Sequence, residues 1–309
     1  VPKDSLCNIA MDTPTYLDAP KRIIVIGDIH GDIAILCSCL YLANIINNKF
    51  EWIAEPTDTI VVQMGDQVDS LSRDTNQPWE KIDDITLLQF TERLDEIARK
   101  KGGRFISLLG NHEVMNVLGH FDYVSPLSMH KAGGVQGRRE RFQPGGSCAK
   151  ILAKRNVVQK IGSLLFCHAG LLPHHLQLIN GQLKSINLLM KKYLLKEIHN
   201  DNDFALLNSL FINEMSILWN RFYLEQMGPE AEQVLNQVLQ NTNSTQMMIG
   251  HNPMKNITPF YNFKLWVTDI GLSRAFSNEG LEILEILNGG ISCEENNHQP
   301  FCVIRAIKK

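Results

Sequence analysis

Five times in this chain a short apolar run ends in a turn rich in metal-ligating side chains. Ile23-Ile-Val-Ile-Gly27 leads into Asp28-Ile29-His30, and Ile60-Val-Val-Gln-Met-Gly65 into Asp66-Gln67-Val68-Asp69. Phe105-Ile-Ser-Leu-Leu-Gly110 precedes Asn111-His112-Glu113, Ser163-Leu-Leu-Phe-Cys167 precedes His168, and Met247-Met-Ile-Gly250 precedes His251-Asn252. Short runs of Ile, Val, Leu, Met and Phe have the pattern of buried strands, and a glycine at the strand end lets the backbone turn sharply. Strands sharing one sandwich would bring these turns to one spot. Two aspartates, an asparagine and three histidines would then converge, a mixed oxygen and nitrogen set suited to Mn, Fe or Zn rather than to Ca or a thiolate site.

A site drawing on turns from Asp28 to His251 needs almost the whole chain, so residues 1–309 are expected to form a single domain. A hydrophobic content of 44% supports a sizeable core. Net charge is −3 with acids and bases nearly balanced, which leaves no electrostatic footprint for nucleic acid or an anionic membrane, and neither is expected as a partner. No run reaches the roughly 18 apolar residues of a membrane span. The first twenty residues carry Asp4, Asp12, Asp18 and three prolines in place of a signal-peptide core. Seven cysteines, an odd number without framework spacing, point to a reducing compartment, and a cytoplasmic location is expected. Cys293 and Cys302 flank an expected C-terminal hairpin and form a candidate pair on oxidation.

Alternation of strand and helix signals marks an α/β layered core. Strands are expected at 23–26, 59–64 and 105–109, with helices at 33–46 and 84–101 between them; the second stops at Gly102-Gly103. From Phe121 to Ala149 runs a Gly-, Pro- and Arg-containing connection without clear periodicity, expected to be an irregular loop. Val157–Lys160 and Leu164–Cys167 read as a hairpin turning at Gly162-Ser163. Residues 173–240 read as helical throughout, an inserted cap at about 174–240 without ligand motifs. The tail is β-rich, with strands at 247–249, 265–267, 281–286 and 302–307.

The ordered set Gly-Asp-x-His, Gly-Asp-x-x-Asp, Gly-Asn-His-Glu, strand-ending His and Gly-His resembles the metallophosphoesterase, or calcineurin-like, superfamily. Within it the chain is most similar to the Shewanella-like branch of the phosphoprotein phosphatases. That closer match rests on Gly27-Asp-Ile-His-Gly-Asp32, Leu108-Leu-Gly-Asn-His-Glu113, Gly133-Gly-Val-Gln-Gly-Arg138 with Pro144-Gly-Gly146, Phe166-Cys-His-Ala-Gly-Leu-Leu-Pro173 and Asp269-Ile-Gly-Leu-Ser-Arg274. It implies a two-sheet β-sandwich flanked by helices with an inserted helical cap. It also implies two divalent metal ions (Mn, Fe or Zn), Asp28 and His30 on the first, Asp66 bridging, and Asn111, His168 and His251 on the second. A bridging hydroxide would attack phosphorus in line, His112 would protonate the departing oxygen, and Asp69 would orient the His112 ring. The implied substrate is a phosphorylated protein or peptide. Glu113 and Asp32 are expected to shape turns rather than to ligate.

The chain departs from its relatives after Asp69, where most phosphoprotein phosphatases carry Arg-Gly with the arginine gripping phosphate, and Ser70-Leu71 stand here. Arg73, Arg138 and Arg221 are the candidate replacements, since guanidinium forks suit phosphate oxygens. A cysteine phosphoenzyme would need Cys, five residues, then Arg, and Cys148 reaches Arg155 one position too late. A dinucleoside-polyphosphate hydrolase sharing the metal motifs is the alternative enzyme. A non-catalytic phosphoprotein-binding scaffold is the alternative outside enzymes, and it would have little need of His112 and Asp69.

Overall fold

A computed structural model describes residues 13–73, 80–276, 280–291 and 299–308. Cys293 lies outside them, as does therefore the candidate pair with Cys302. In the first sheet β2 (Arg22–Ile26), β3 (Ile60–Gln63) and β4 (Arg104–Ser107) run parallel, with Ile23 opposite Ile60 and Ile60 opposite Arg104. β10 (Gly280–Leu287) joins β2 antiparallel, and β11 (Phe301–Ile307) lies outside β10. The second sheet has the order β1 (Tyr16–Leu17), β5 (Val158–Ile161), β6 (Leu164–Cys167), β7 (Gln246–Ile249), β9 (Leu265–Val267) and β8 (Thr258–Phe260). β6, β7 and β9 are mutually parallel, so their C-terminal ends share one edge as those of β2, β3 and β4 do. All five strands expected before the polar turns are present; β1 and β8 lie outside the expected set.

Strand alternation divides the core in two. Leu164, Phe166 and Met248 share one apolar cluster with the first sheet, Val25, Val62 and Ile106 among its members. Leu165, Cys167, Met247 and Ile249 face the other way, into a second apolar cluster made with helices. Both faces of β6 and β7 are thus covered, which is why their sequences are continuously apolar.

The helices of the first half are α1 (Ile33–Leu42), α2 (Asp84–Lys100) and α3 (Asn111–Leu118), followed by α4 (Pro126–Lys131), α5 (Gly134–Phe142) and α6 (Ser147–Leu152). The last three replace the irregular loop expected over 121–149. α4 begins at an N-cap, Ser125, whose hydroxyl accepts from the Ser128 amide at 3.1 Å, with Pro126 in the first turn. The helices escaped a reading by apolar period because their buried faces include Ser128 and Arg138.

The segment after β6 is helical only in pieces: α7 (Pro173–Leu178), α8 (Leu183–Leu194), α9 (Asp201–Leu207) running into a π-turn at Asn208–Ile212, α10 (Phe222–Glu225) and α11 (Pro229–Asn241). Pro173 and Pro229 start helices, while Asn213 ends one by accepting the Met215 amide at 2.8 Å on its side chain. The reading of 173–240 as helical throughout is therefore corrected: a non-helical stretch, 213–221, crosses toward the strand ends. Ile186, Met190, Leu235 and Val238 bury the helices of this layer against the outer face of the second sheet.

Candidate active site

At the shared strand edge lies a cavity of about 470 Å³, lined among others by Asp28, His30, Asp66, Asn111, His112, His251 and Asp269. The turns that reach it are backbone-strained at the polar residues themselves. His30, Asp66, Asp69 and His251 all have positive φ, between 41° and 70°. Of the four glycines preceding these turns, Gly65 has a positive φ, 99°. The others serve close approach: a Cβ on Gly110 would overlap Asp66 Oδ1, and one on Gly250 would overlap Asp28 Oδ1.

Asp66 is the hub. Its Oδ2 lies 3.3 Å from His168 Nε2, 3.8 Å from His30 Nε2 and 3.9 Å from His112 Nε2. Among the described residues two groups have the spacing to share a cation, His30 with Asp66 and His112, and Asp66 with His168 and His251. Asn111 Oδ1 lies between His168 Nε2 at 2.9 Å and His251 Nδ1 at 3.1 Å. The outward nitrogen of each histidine is held by a main-chain carbonyl: His30 Nδ1 by Val68 at 3.2 Å, His168 Nδ1 by Met64 at 2.8 Å, and His251 Nε2 by Trp219 at 3.0 Å. Such outer partners fix ring orientation at metal sites.

The electrostatics fit cations. Burial, with Asp269 and Asp66 nearby, holds the Asp28 carboxyl well above its usual range. Its Oδ1 is buried with no hydrogen-bond partner. Burial also pushes Asp269 up to about 6. An acidic cluster so deprived of water needs positive charge to be stable in ionised form. Burial and His112 keep His30 well below its ordinary value, while burial, His168 and Arg221 bring His251 down to about 3. Neutral imidazoles are the form that ligates.

His112 sits at the cavity wall with Nδ1 2.7 Å from Asp69 Oδ2. Burial alone would lower its pKa, but Asp66 and Asp69 outweigh that and hold it above the ordinary value. Glu113 turns inward and accepts the amides of Gly110, Asp66 and Gln67 at 2.7–2.9 Å, stapling the Asp66 turn to α3. Asp32 caps α1 and pairs with Arg274 at 2.8 Å.

The three candidate arginines part company. Arg73 lies in the cavity wall, its guanidinium 4.6 Å from the Tyr123 ring and 5.3 Å from Phe276, donating to the Leu71 and Asp69 carbonyls. Arg221 also lines the cavity and donates to the His251 carbonyl at 3.1 Å and Asn252 Oδ1 at 2.9 Å. Arg138 does not reach it. Its side chain is fully buried and committed to Asp84 through two bonds of 2.9 and 2.8 Å, so the structure gives it no access to a substrate phosphate. Sequence reasoning missed Tyr123, Phe276 and the Trp219 carbonyl, none of which carries a local motif. It also missed Asn116, which donates to Asp69 Oδ1 at 2.8 Å and lies four residues beyond His112 on the same helical face.

A family model described as calcineurin-like phosphoesterase matches residues 21–268. The chain belongs to that family. This phosphoesterase is thus a hydrolase of phosphate esters from a family that binds divalent metals. It is 25% identical to Shewanella-like protein phosphatase 2 of Arabidopsis thaliana, across 88% of this chain and 76% of that protein. To Shewanella-like protein phosphatase 1 of Plasmodium berghei it is 28% identical, across 84% and 69%. Among solved structures, the phosphoesterase shares its fold with a cold-active protein-tyrosine phosphatase of a psychrophilic Shewanella species. There the TM-score is 0.71 at 23% identity, covering 90% of this chain and 78% of that one. Among the described residues no helix is long and apolar enough to cross a membrane.

Proposed function

We propose that this phosphoesterase is a dinuclear-metal phosphomonoesterase acting on phosphorylated protein side chains. Asp28, His30 and Asp66 would hold one ion, and Asp66, Asn111, His168 and His251 the other. When bound, the ions supply Lewis acidity that draws charge from phosphoryl oxygens and lowers the pKa of water in the site.

The observation that carries the reading is the 2.7 Å bond between Asp69 and His112 Nδ1 beside this ligand set. A ring anchored at Nδ1 by a carboxylate is fixed in orientation and stabilised as a cation. Its Nε2–H is then the donor for a departing alkoxide. A cation on Asp66 would take up that carboxylate's charge and leave Asp69 as the lasting partner of the ring. Arg73 and Arg221, each tethered to main-chain carbonyls at the cavity wall, would receive the phosphate in the role Ser70 cannot fill. Aromatic walls from Tyr123, Trp219 and Phe276 suit one phosphorylated side chain. The two named protein-phosphatase relatives support this substrate class.

The test is metal analysis with a substrate panel: phosphoserine, phosphothreonine and phosphotyrosine peptides against dinucleoside polyphosphates and phosphodiesters. Two ions per chain and a higher kcat/KM on a phosphopeptide are expected. At most one ion in an active preparation defeats the dinuclear reading, and dinucleoside polyphosphates as the best substrates move the assignment to them. Arg73→Ala and Arg221→Ala should raise KM and weaken inhibition by free phosphate at constant metal content.

A further inference from the structure

Arg138 is a wholly buried guanidinium that does not line the cavity. Its position is built with care. Gly137 passes so close to the Ala132 carbonyl that a Cβ there would overlap it, which seats the first turn of α5 against α4. Arg138 then reaches α2 and α3. Its two terminal nitrogens hold Asp84, the first residue of α2, and Nε donates to Asn116 Oδ1 on α3 at 2.7 Å.

Arg138 and both of its partners converge on Asp69. Asp84 Oδ2 accepts the Asp69 amide at 3.0 Å, Asn116 Nδ2 donates to Asp69 Oδ1 at 2.8 Å, and Arg138 Nη2 lies 3.7 Å from the same oxygen. The second Asn116 proton goes to the His112 carbonyl at 2.9 Å, so one amide ties both members of the pair together. Asp69 has φ of +70°, a conformation that a non-glycine residue keeps only when its surroundings impose it.

We infer that Arg138, Asp84 and Asn116 are positioning residues, a buried clamp that holds the Asp69 carboxylate on His112 Nδ1. This rests on the reading of His112 as the proton donor. The clamp uses one Asp69 oxygen and leaves the other for the imidazole, so Asp69 cannot rotate away from the ring during turnover.

The experiment uses the zinc-loaded full chain and two readouts: the low-field proton resonance of the His112 Nδ1–H···Asp69 bond at one fixed pH, and kcat on an alkyl phosphopeptide compared with 4-nitrophenyl phosphate. Asn116→Ala should shift or broaden the resonance. It should lower kcat on the alkyl ester by about 10–100-fold, and on the activated aryl ester much less, with KM and metal content unchanged. Combined with Asp69→Asn it should add little further loss, because groups acting as a unit are not additive. Arg138→Met alone strands a buried carboxylate and risks unfolding. The neutral pair Arg138→Met with Asp84→Asn is therefore the second variant, and Arg138→Lys should restore part of the resonance. An unchanged resonance in Asn116→Ala and in the neutral pair overturns the clamp. A raised KM with kcat intact overturns it in favour of phosphate binding. A uniform loss in His112→Asn on both esters instead overturns the proton-donor reading, and a shifted resonance would still stand as evidence for the clamp.

Discussion

Two of the three histidines around Asn111 and Asp66 are braced from within the strand-end turns, and one is braced from outside. His30 and His168 are held by the Val68 and Met64 carbonyls, which belong to the β3 turn that also carries Asp66. His251 is held by Trp219, which arrives on the non-helical stretch between the π-turn and α10. The first arrangement is local to one turn and stapled by Glu113. The second depends on a segment whose own anchors are Asn220, bonded to the Gly170 and Ser216 carbonyls, and His175, bonded to the Met215 carbonyl. The site therefore has one side braced by its own strand-end turns and another whose geometry is set by the helical layer. Loss at Asp66 should therefore act on everything, and loss in the layer on His251 alone.

The largest effect sharpens the side braced by its own turns. Asp66→Asn should weaken binding of both ions and cost more turnover than the roughly 10–100-fold that follows loss of an outer partner. His30→Ala should mainly affect one ion. Isothermal titration with zinc on chelator-treated protein separates these outcomes, and a variant Asp66→Asn that still binds one ion with unchanged affinity would break the hub assignment. Chelation itself should abolish activity, with recovery when a divalent metal is restored.

Next in size is His112→Asn, expected to keep its metal content and to lose about 10²–10⁴ in kcat on esters with poor leaving groups. Loss should be smaller on an activated aryl phosphate. Asp69→Asn should imitate it more mildly, as it leaves the donor present and removes only its anchor.

What could be read from the sequence follows the same division. The five ligand turns were legible because buried parallel strands are continuously apolar and their ends carry polar residues with no structural reason to cluster. Glu113 and Asp32 were rightly set apart as turn-shaping groups, since the structure puts their oxygens on amides and on Arg274. The helices over 126–152 were hidden because Ser128 and Arg138 occupy their buried faces, which erases the apolar period. Arg138, a candidate phosphate ligand on sequence, is instead buried against Asp84. Its partner Asp84 lies 54 residues away in the chain, and no local pattern announces such a pairing. The break in the 173–240 segment has no sequence signal for a related reason: the apolar spacing of α8 and α11 is clear on either side, and the stretch between them is fixed by buried polar contacts such as Asn220 to Gly170.

The dependent side can be probed by Asn220→Ala. The Asn220 amide holds two carbonyls at 2.9 and 2.8 Å, and releasing them frees the preceding Trp219 carbonyl to drift from His251. Affinity for one ion should fall by up to about 10-fold, the lower end of the range for outer partners, while the other ion is unaffected. Equal weakening of both would erase the distinction between the two sides.

The smallest effect is on stability, and it concerns His175. Its Nδ1 accepts the Leu172 amide at 3.0 Å and its Nε2 donates to the Met215 carbonyl at 2.8 Å, linking the start of α7 to the stretch that delivers Trp219. Burial, with His174 adjacent, lowers its pKa to about 3, so the folded state keeps it neutral. The unfolded chain protonates it near the ordinary value of about 6.5. Below that pH the unfolded state binds the extra proton and the folded state does not, so the stabilisation is complete above about 6.5 and declines as pH falls toward 3. At pH 5 the loss amounts to roughly 2 kcal/mol. His175→Gln removes the titration, and comparing melting temperatures of the metal-loaded proteins at pH 7 and pH 5 should show the wild type losing a few degrees more than the variant. Because protonation in the opened state takes away the acceptor of the Leu172 amide, protection factors at pH 5 should fall in α7 and around Met215 before they do in β2 or β3. Identical acid sensitivity in wild type and variant would remove His175 as a bond between the helical layer and the site.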